Sequence, residues 1–129
     1  YVYISPLRSN GGESRCHGEV WFAWLEDSVL VTSRAETWKV RSVNKGLDRA
    51  RVWVGDYGRW KKGKNESFRE GANFETQSTL VEDPALVSEV LNVFDNKYPE
   101  EFPKWKDRME KGHRERTRLL LRYELVLNP

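Results

Sequence analysis

The amino-acid order predicts a strand-rich α+β domain that closes into a small barrel, and three observations carry this. Short β-branched and aromatic runs recur at residues 1–5, 19–25, 29–33, 50–55, 74–81 and 119–127. One helical pattern follows the first hairpin, and two more stand together before the last strand. The central runs lack the wet/dry alternation of a half-exposed sheet, so closure is the expected protection for their edges.

Each element has a local reason. Residues 1–5 form a strand stopped by Pro6, and Ser9-Asn10-Gly11-Gly12 is a turn by composition. Residues 19–25, Glu-Val-Trp-Phe-Ala-Trp-Leu, are too uniformly apolar for one wet face and predict a strand buried on both sides. Glu26-Asp27-Ser28 is a tight connection to the next strand, giving a hairpin. Around residues 37–44 a helix follows, with Val40 and Val43 on one face and Gly46 as its stop. The strand over 50–55 runs into Gly55-Asp56-Tyr57-Gly58, then a basic tip over 59–64, and 74–81 pairs back. Asp83-Pro84 marks a helix start, Asp as cap and Pro at the first helical position. That helix carries Leu86, Val87, Val90, Leu91, Phe94 and Tyr98 on one stripe and ends before Pro99. A shorter helix over 103–111 has Gly112 as its stop. In the last strand Leu119, Leu121, Tyr123, Leu125 and Leu127 alternate against Arg122 and Glu124.

Composition bounds the function. The 129 residues make a single domain, 1–129, and the chain opens on Tyr1 rather than Met, which leaves room for residues before it. Six Trp, five Tyr and five Phe are enough to fill a core and line a pocket or interface. With 22 basic and 20 acidic residues the net charge is +2, so no nucleic-acid partner is expected from charge. The basic tip holds Trp60 among four cations and is read as a solvated loop. A single-stranded nucleic-acid binder using Trp53 and Trp60 is the alternative it suggests. One cysteine fits a reducing cytoplasm, and no apolar run approaches the ~18 residues of a membrane span. No leader pattern is seen either, so a cytoplasmic location away from membranes is expected. Asn65-Glu66-Ser67 matches a glycosylation pattern that is common by chance. Cys16 and His17 are adjacent and His113 is the only other histidine, which is no ligand spacing for a metal. Cys16 is read as a surface thiol, and no pair of carboxylates stands out as acid and base.

Residues 29–43 are the most informative stretch. A strand turns polar at Thr32-Ser33-Arg34 and resumes as a helix. Backbone N–H groups are unpaired at such a start, and Arg34 and Lys39 can close on an anion there. An ordinary connection with solvated charges is the alternative on local chemistry.

Val20-Trp21-Phe22, the hairpin, Leu30 to Arg34 (Leu-Val-Thr-Ser-Arg), Trp38 to Arg41 (Trp-Lys-Val-Arg) and Ala50 to Val54 (Ala-Arg-Val-Trp-Val) follow in an order that resembles the pyridoxamine 5′-phosphate oxidase-like superfamily. Its members are FMN-binding split barrels with deazaflavin-binding relatives. The resemblance covers most of residues 19–98, including Val81-Glu82-Asp83 and Lys97-Tyr98-Pro99. It implies a split β-barrel with a helix after the first hairpin and two helices before the last strand. It places Thr32, Ser33 and Arg34 at the phosphate end of the cofactor, and Lys39 on the phosphate. Arg41, two residues on, faces another way and is left to a salt bridge or a subunit interface. Val20, Trp21 and Phe22 match the strand beside the isoalloxazine ring. Tyr57 and Ser33 are the candidates for a proton donor.

The chain departs from the family at Trp38, which is bulkier than usual, and in a short or absent first strand with its leading helix. Arg116-Thr117-Arg118 is only a loose echo of the C-terminal Arg-x-Arg signature of pyridoxamine phosphate oxidases, so vitamin B6 oxidation is not the expected activity. The resemblance implies an FMN- or deazaflavin-dependent oxidoreductase acting on a small-molecule substrate, as a homodimer with the cofactor at the interface. A non-catalytic flavin or haem-type binding module is the alternative.

Overall fold

A computed structural model describes residues 2–6, 18–25, 27–46, 48–55 and 72–126. The turn at 9–12, Cys16, His17, Tyr57, the basic tip with Trp60, the 65–67 pattern and Leu127 lie outside the described residues.

The strands are β1 (Val2–Pro6), β2 (Gly18–Val20), β3 (Ala23–Leu25), β4 (Ser28–Arg34), β5 (Arg49–Val54), β6 (Ala72–Val81) and β7 (Arg118–Leu125). Helix α1 (Trp38–Asn44) lies between β4 and β5, and α2 (Pro84–Lys97) and α3 (Phe102–Glu115) lie between β6 and β7. The sheet is antiparallel throughout, in the order β2-β1-β5-β6-β7-β4-β3. Its two outermost strands, β2 and β3, are halves of one segment separated by Trp21 and Phe22. Pairing shifts from β1 to β4 across those two residues, so the chain itself joins the two edges of the curled sheet. This corrects the single strand expected over 19–25. It also corrects its burial: Trp24 is 47% exposed.

Cross-strand register sorts the side chains onto two faces. Inward, Val2 and Ile4 meet Val29, Val31, Ala50, Val52, Leu121 and Tyr123, and Val40 of α1 closes one end. Thr76 is fully buried among them and donates to the Ala50 carbonyl at 2.9 Å, which removes the cost of an unpaired hydroxyl. Outward, Ala23, Leu30 and Leu120 pack under Leu86, Val90, Leu91 and Phe94 of α2 and Phe102 and Met109 of α3. The alternation in β7 concealed Leu120, which is fully buried on the outer face while Leu121 is fully buried on the inner one. Both faces of β7 are covered.

The helix boundaries have local causes. The Asp83 carboxylate accepts from the backbone N–H groups of Ala85 at 3.0 Å and Leu86 at 3.3 Å, the cap expected at Asp83-Pro84. Gly46 takes a φ of +83° just after α1, as a glycine stop does. Gly112, expected as a stop, lies inside α3, which continues to Glu115. The stop is Arg116, in the left-handed region at φ 63°. Thr117 N–H bonds the Gly112 carbonyl at 2.9 Å and Arg116 N–H the His113 carbonyl at 3.4 Å, a Schellman ending built without glycine at its turn. No helix among the described residues is long and apolar enough to cross a membrane.

Candidate functional site

Strand β4 carries the polar residues further than the sequence implied. Thr32, Ser33 and Arg34 are still strand, paired with Leu120, Leu119 and Arg118 of β7. Their side chains therefore alternate. Ser33 turns inward and lies 2.6 Å from the Thr37 hydroxyl, which in turn donates to the Arg34 carbonyl at 3.0 Å. These bonds fix the turn over 34–37, and Ala35 N–H ties it to the Thr117 carbonyl at 2.9 Å. Thr32 and Arg34 face the other way, with Arg118.

Arg34 and Arg118 stand opposite each other there, and the field of Arg118 reaches Lys39. Arg118 donates from Nη1 to the Thr32 hydroxyl at 3.3 Å. Arg34, its direct cross-strand partner, is ion-paired with Glu36. Lys39 of α1 is half-buried; burial holds its pKa below the ordinary lysine value, and the field of Arg118 lowers it further. Arg118 is itself lowered, by burial first and by Arg34 second, with Glu36 acting against them. Glu36 is lowered first by hydrogen bonding at its own backbone, against desolvation, with smaller individual contributions from Arg34 and Arg118. A concentration of positive charge with partial desolvation is what an anion site requires.

The structure thus puts Thr32 and Arg34 on one face with Arg118, whose field reaches Lys39, and sets Ser33 on the opposite face. Arg41 is exposed on α1 while Lys39 is half-buried, so the two face differently, as their spacing implies. Val20 lies in β2, opposite Val2. Trp21 and Phe22 are clamped onto the end of α2. The Trp21 ring stacks on Tyr98 at 4.7 Å and meets Phe94 edge-on at 5.8 Å. Phe22 N–H donates to the Tyr98 hydroxyl at 3.3 Å, and Lys97 Nζ donates to the Phe22 carbonyl at 3.3 Å while sitting 3.1 Å over its ring. Trp53, one half of the stacking platform considered for single-stranded nucleic acid, is 4% exposed. It presents no such face.

Sequence reasoning missed Arg118 and His113. Arg118 is 84 positions from Arg34, and nothing short of the β4–β7 pairing brings them together; the available signal was an arginine at the start of an otherwise apolar strand. His113 lines a groove of about 590 Å³ between α2 and α3, alongside Val87, Leu91, Phe102 and Leu119. Its Nε2 is buried without a partner among the described residues. Burial, and then Arg118, push its pKa down to about 4.

That depression has a pH signature. Between about pH 6.5 and pH 4 the unfolded chain takes up a proton that the folded His113 refuses. Its contribution to stability is therefore complete above the unfolded value and lost as the pH falls through the folded one. Partial exposure brings the effect to about 1–2 kcal/mol. Unfolding free energies from urea titrations at pH 7 and pH 4.5 should differ by that much less in His113→Gln than in the unsubstituted protein. Parallel losses would mean that His113 protonates freely in the fold.

No family profile matches the sequence, and no curated protein matches it either. Similarity appears in three dimensions. A conserved hypothetical protein of Mycobacterium tuberculosis, Rv2991, superposes with a TM-score of 0.64 at 15% identity, over 98% of this chain and 72% of that one. The heme storage protein HutZ of Vibrio cholerae gives 0.64 at 9% identity, over 98% and 82%. An F420 reductase gives 0.51 at 14% identity, over 98% and 86%. At such identities the likeness is one of fold, and this chain has a strand-rich α+β split-barrel fold.

Proposed function

We propose that this domain belongs to the flavin-binding split barrels and works as an oxidoreductase on a small-molecule substrate, with FMN or a deazaflavin coenzyme as cofactor. The observation that carries the reading is the placing of Thr32 and Arg34 with Arg118 at one end of β4, with Lys39 of the following helix within the field of Arg118; there the cofactor's phosphate would sit. The half-buried Lys39 supplies a charge that water screens poorly, and Thr32 a hydroxyl. Ser33 acts behind them, holding the turn through Thr37. Trp21 and Phe22 stand at the split, where their fixed rings can border the flavin. When bound, the ring of the cofactor supplies the hydride-transfer chemistry; the protein's part is to hold and orient it. The exposed Trp24 on an outermost strand fits a homodimer that covers it, with the cofactor at the interface.

The likeness to HutZ favours a second reading, haem carriage without turnover. Absorption spectra separate the two. Protein titrated with FMN, a deazaflavin coenzyme and hemin should perturb the flavin or deazaflavin bands and give a dimer mass by light scattering with cofactor bound. A tight complex with a Soret band, and no flavin binding, would replace this reading with the second.

A further inference from the structure

We propose that residues 18–22 are a strap that swings open as one unit about Ala23, and that Lys97 and Tyr98, at the end of α2, are the clasp that holds it shut. The strap is β2 with the crossing Trp21-Phe22. Its opening gives the barrel interior an entrance at the seam without unfolding of the sheet. The proposal concerns the chain alone and stands apart from the cofactor reading.

The seam is the lightest joint in the described sheet. Strands β2 and β3 have three residues each, against seven in β4, ten in β6 and eight in β7. Both are outermost, so among the described strands each pairs along one side only. Trp21 and Phe22, between them, belong to neither ladder, and the backbone groups of Phe22 go to side chains instead. Its N–H donates to the Tyr98 hydroxyl and its carbonyl accepts from Lys97 Nζ, both at 3.3 Å, just beyond the usual range for such bonds. Lys97 is exposed, and the burial it does have disfavours its charge. Two long side-chain bonds, one of them from an exposed lysine, hold less firmly than a ladder of backbone bonds.

The two rings decide what an opening uncovers. Trp21 packs against the outer cluster, stacked on Tyr98 at 4.7 Å. Phe22 packs against the inner cluster, with Lys97 Nζ 3.1 Å over its ring. Two consecutive residues thus cover both cores, and both lean on the same helix end. When Lys97 and Tyr98 let go, Phe22 leaves the inner cluster and its apolar surface is uncovered at the seam. Ala23, the next residue, is fully buried in the outer cluster with α2 and paired with Leu30, so the motion stops there. That fixed point gives the strap a hinge.

Amide exchange of the ligand-free protein, followed through urea concentrations below its unfolding transition, tests this. The protected amides of 18–22 should share one opening free energy and exchange about tenfold or more faster than those of β5 and β6. They should depend only weakly on urea, because the opening exposes little surface. Lys97→Met keeps the stem, and Tyr98→Phe keeps the stack on Trp21. Each should speed exchange of the strap about two- to tenfold, the range for one hydrogen bond, and the two together more than either. Thr76→Val removes the bond from Thr76 to the Ala50 carbonyl, which an open strap leaves intact. It should speed exchange in β5 and β6 and leave the strap's rate where it was. A strap whose amides share the rate and urea slope of β5 and β6, and move with them in Thr76→Val, opens only with the whole barrel, and that result overturns the proposal. So does a strap that opens early yet is indifferent to both Lys97→Met and Tyr98→Phe, since its clasp then lies elsewhere.

Discussion

Phe94→Ala should lower the free energy of unfolding by about 3–5 kcal/mol, the range for emptying a closed aromatic site. Phe94 is 1% exposed, and three rings surround it: Trp21 at 5.8 Å, Tyr98 at 5.9 Å and Phe102 at 6.3 Å between centroids, all nearly perpendicular. Such edge-to-face pairs add about 0.5–1.5 kcal/mol each to what burial alone contributes. None of the three neighbours can swing in to fill the space. Trp21 is held by its stack on Tyr98, and Phe102 is the first residue of α3. Trp21 belongs to the crossing that joins β2 to β3, so the damage should reach beyond α2. Amide exchange in β3 should accelerate more than in β5, which lies on the other side of the sheet order. Urea denaturation with an unchanged m-value measures the main effect. A loss below about 1 kcal/mol would mean that α2 is not the lid of the outer core.

The fold was legible wherever periodicity met a boundary residue. Asp83-Pro84 announced α2, because one side-chain oxygen satisfies two otherwise unpaired N–H groups. The hairpin of β3 and β4 followed from two apolar runs with a polar joint between them. Residues 19–25 were misread for a physical reason: a uniformly apolar run has no period, so nothing in it marks where pairing moves to another strand. Gly112 was misread because glycine near a helix end usually serves its conformation, whereas here it serves a neighbour 6 positions on. The left-handed stop fell instead to Arg116, a residue type that gives no such signal.

The candidate site was legible only within β4 and the helix that follows it. Thr32, Arg34 and Lys39 are close in sequence, and their chemistry could be read as a unit. The position of Ser33 required knowing that β4 continues through Arg34, since alternation then sends its hydroxyl inward. Arg118 required the partner of β4. Strand pairing is a property of the whole chain, and an isolated arginine before a leucine run carries no mark of it. The groove beside His113 required the packing of α2 against α3, which neither helix states alone.

Lys39→Ala should weaken FMN binding by tenfold to a hundredfold at ordinary salt and leave riboflavin binding nearly unchanged. A hydrogen bond to a charged group contributes about 1.5–3 kcal/mol, which converts to that range. The lysine is half-buried and its ammonium is already disfavoured by burial and by Arg118. The melting temperature without ligand, read beside the riboflavin affinity, separates the loss of a phosphate contact from a general loosening of the fold. Raising the salt should narrow the difference between the two proteins, because the exposed part of the charge is screened while the ring contacts are not. Calorimetric titration with FMN and riboflavin at two salt concentrations reads all of these effects. Equal losses for the two ligands would assign Lys39 to the ring or to the fold. No loss for either would move the phosphate away from β4 and α1 altogether.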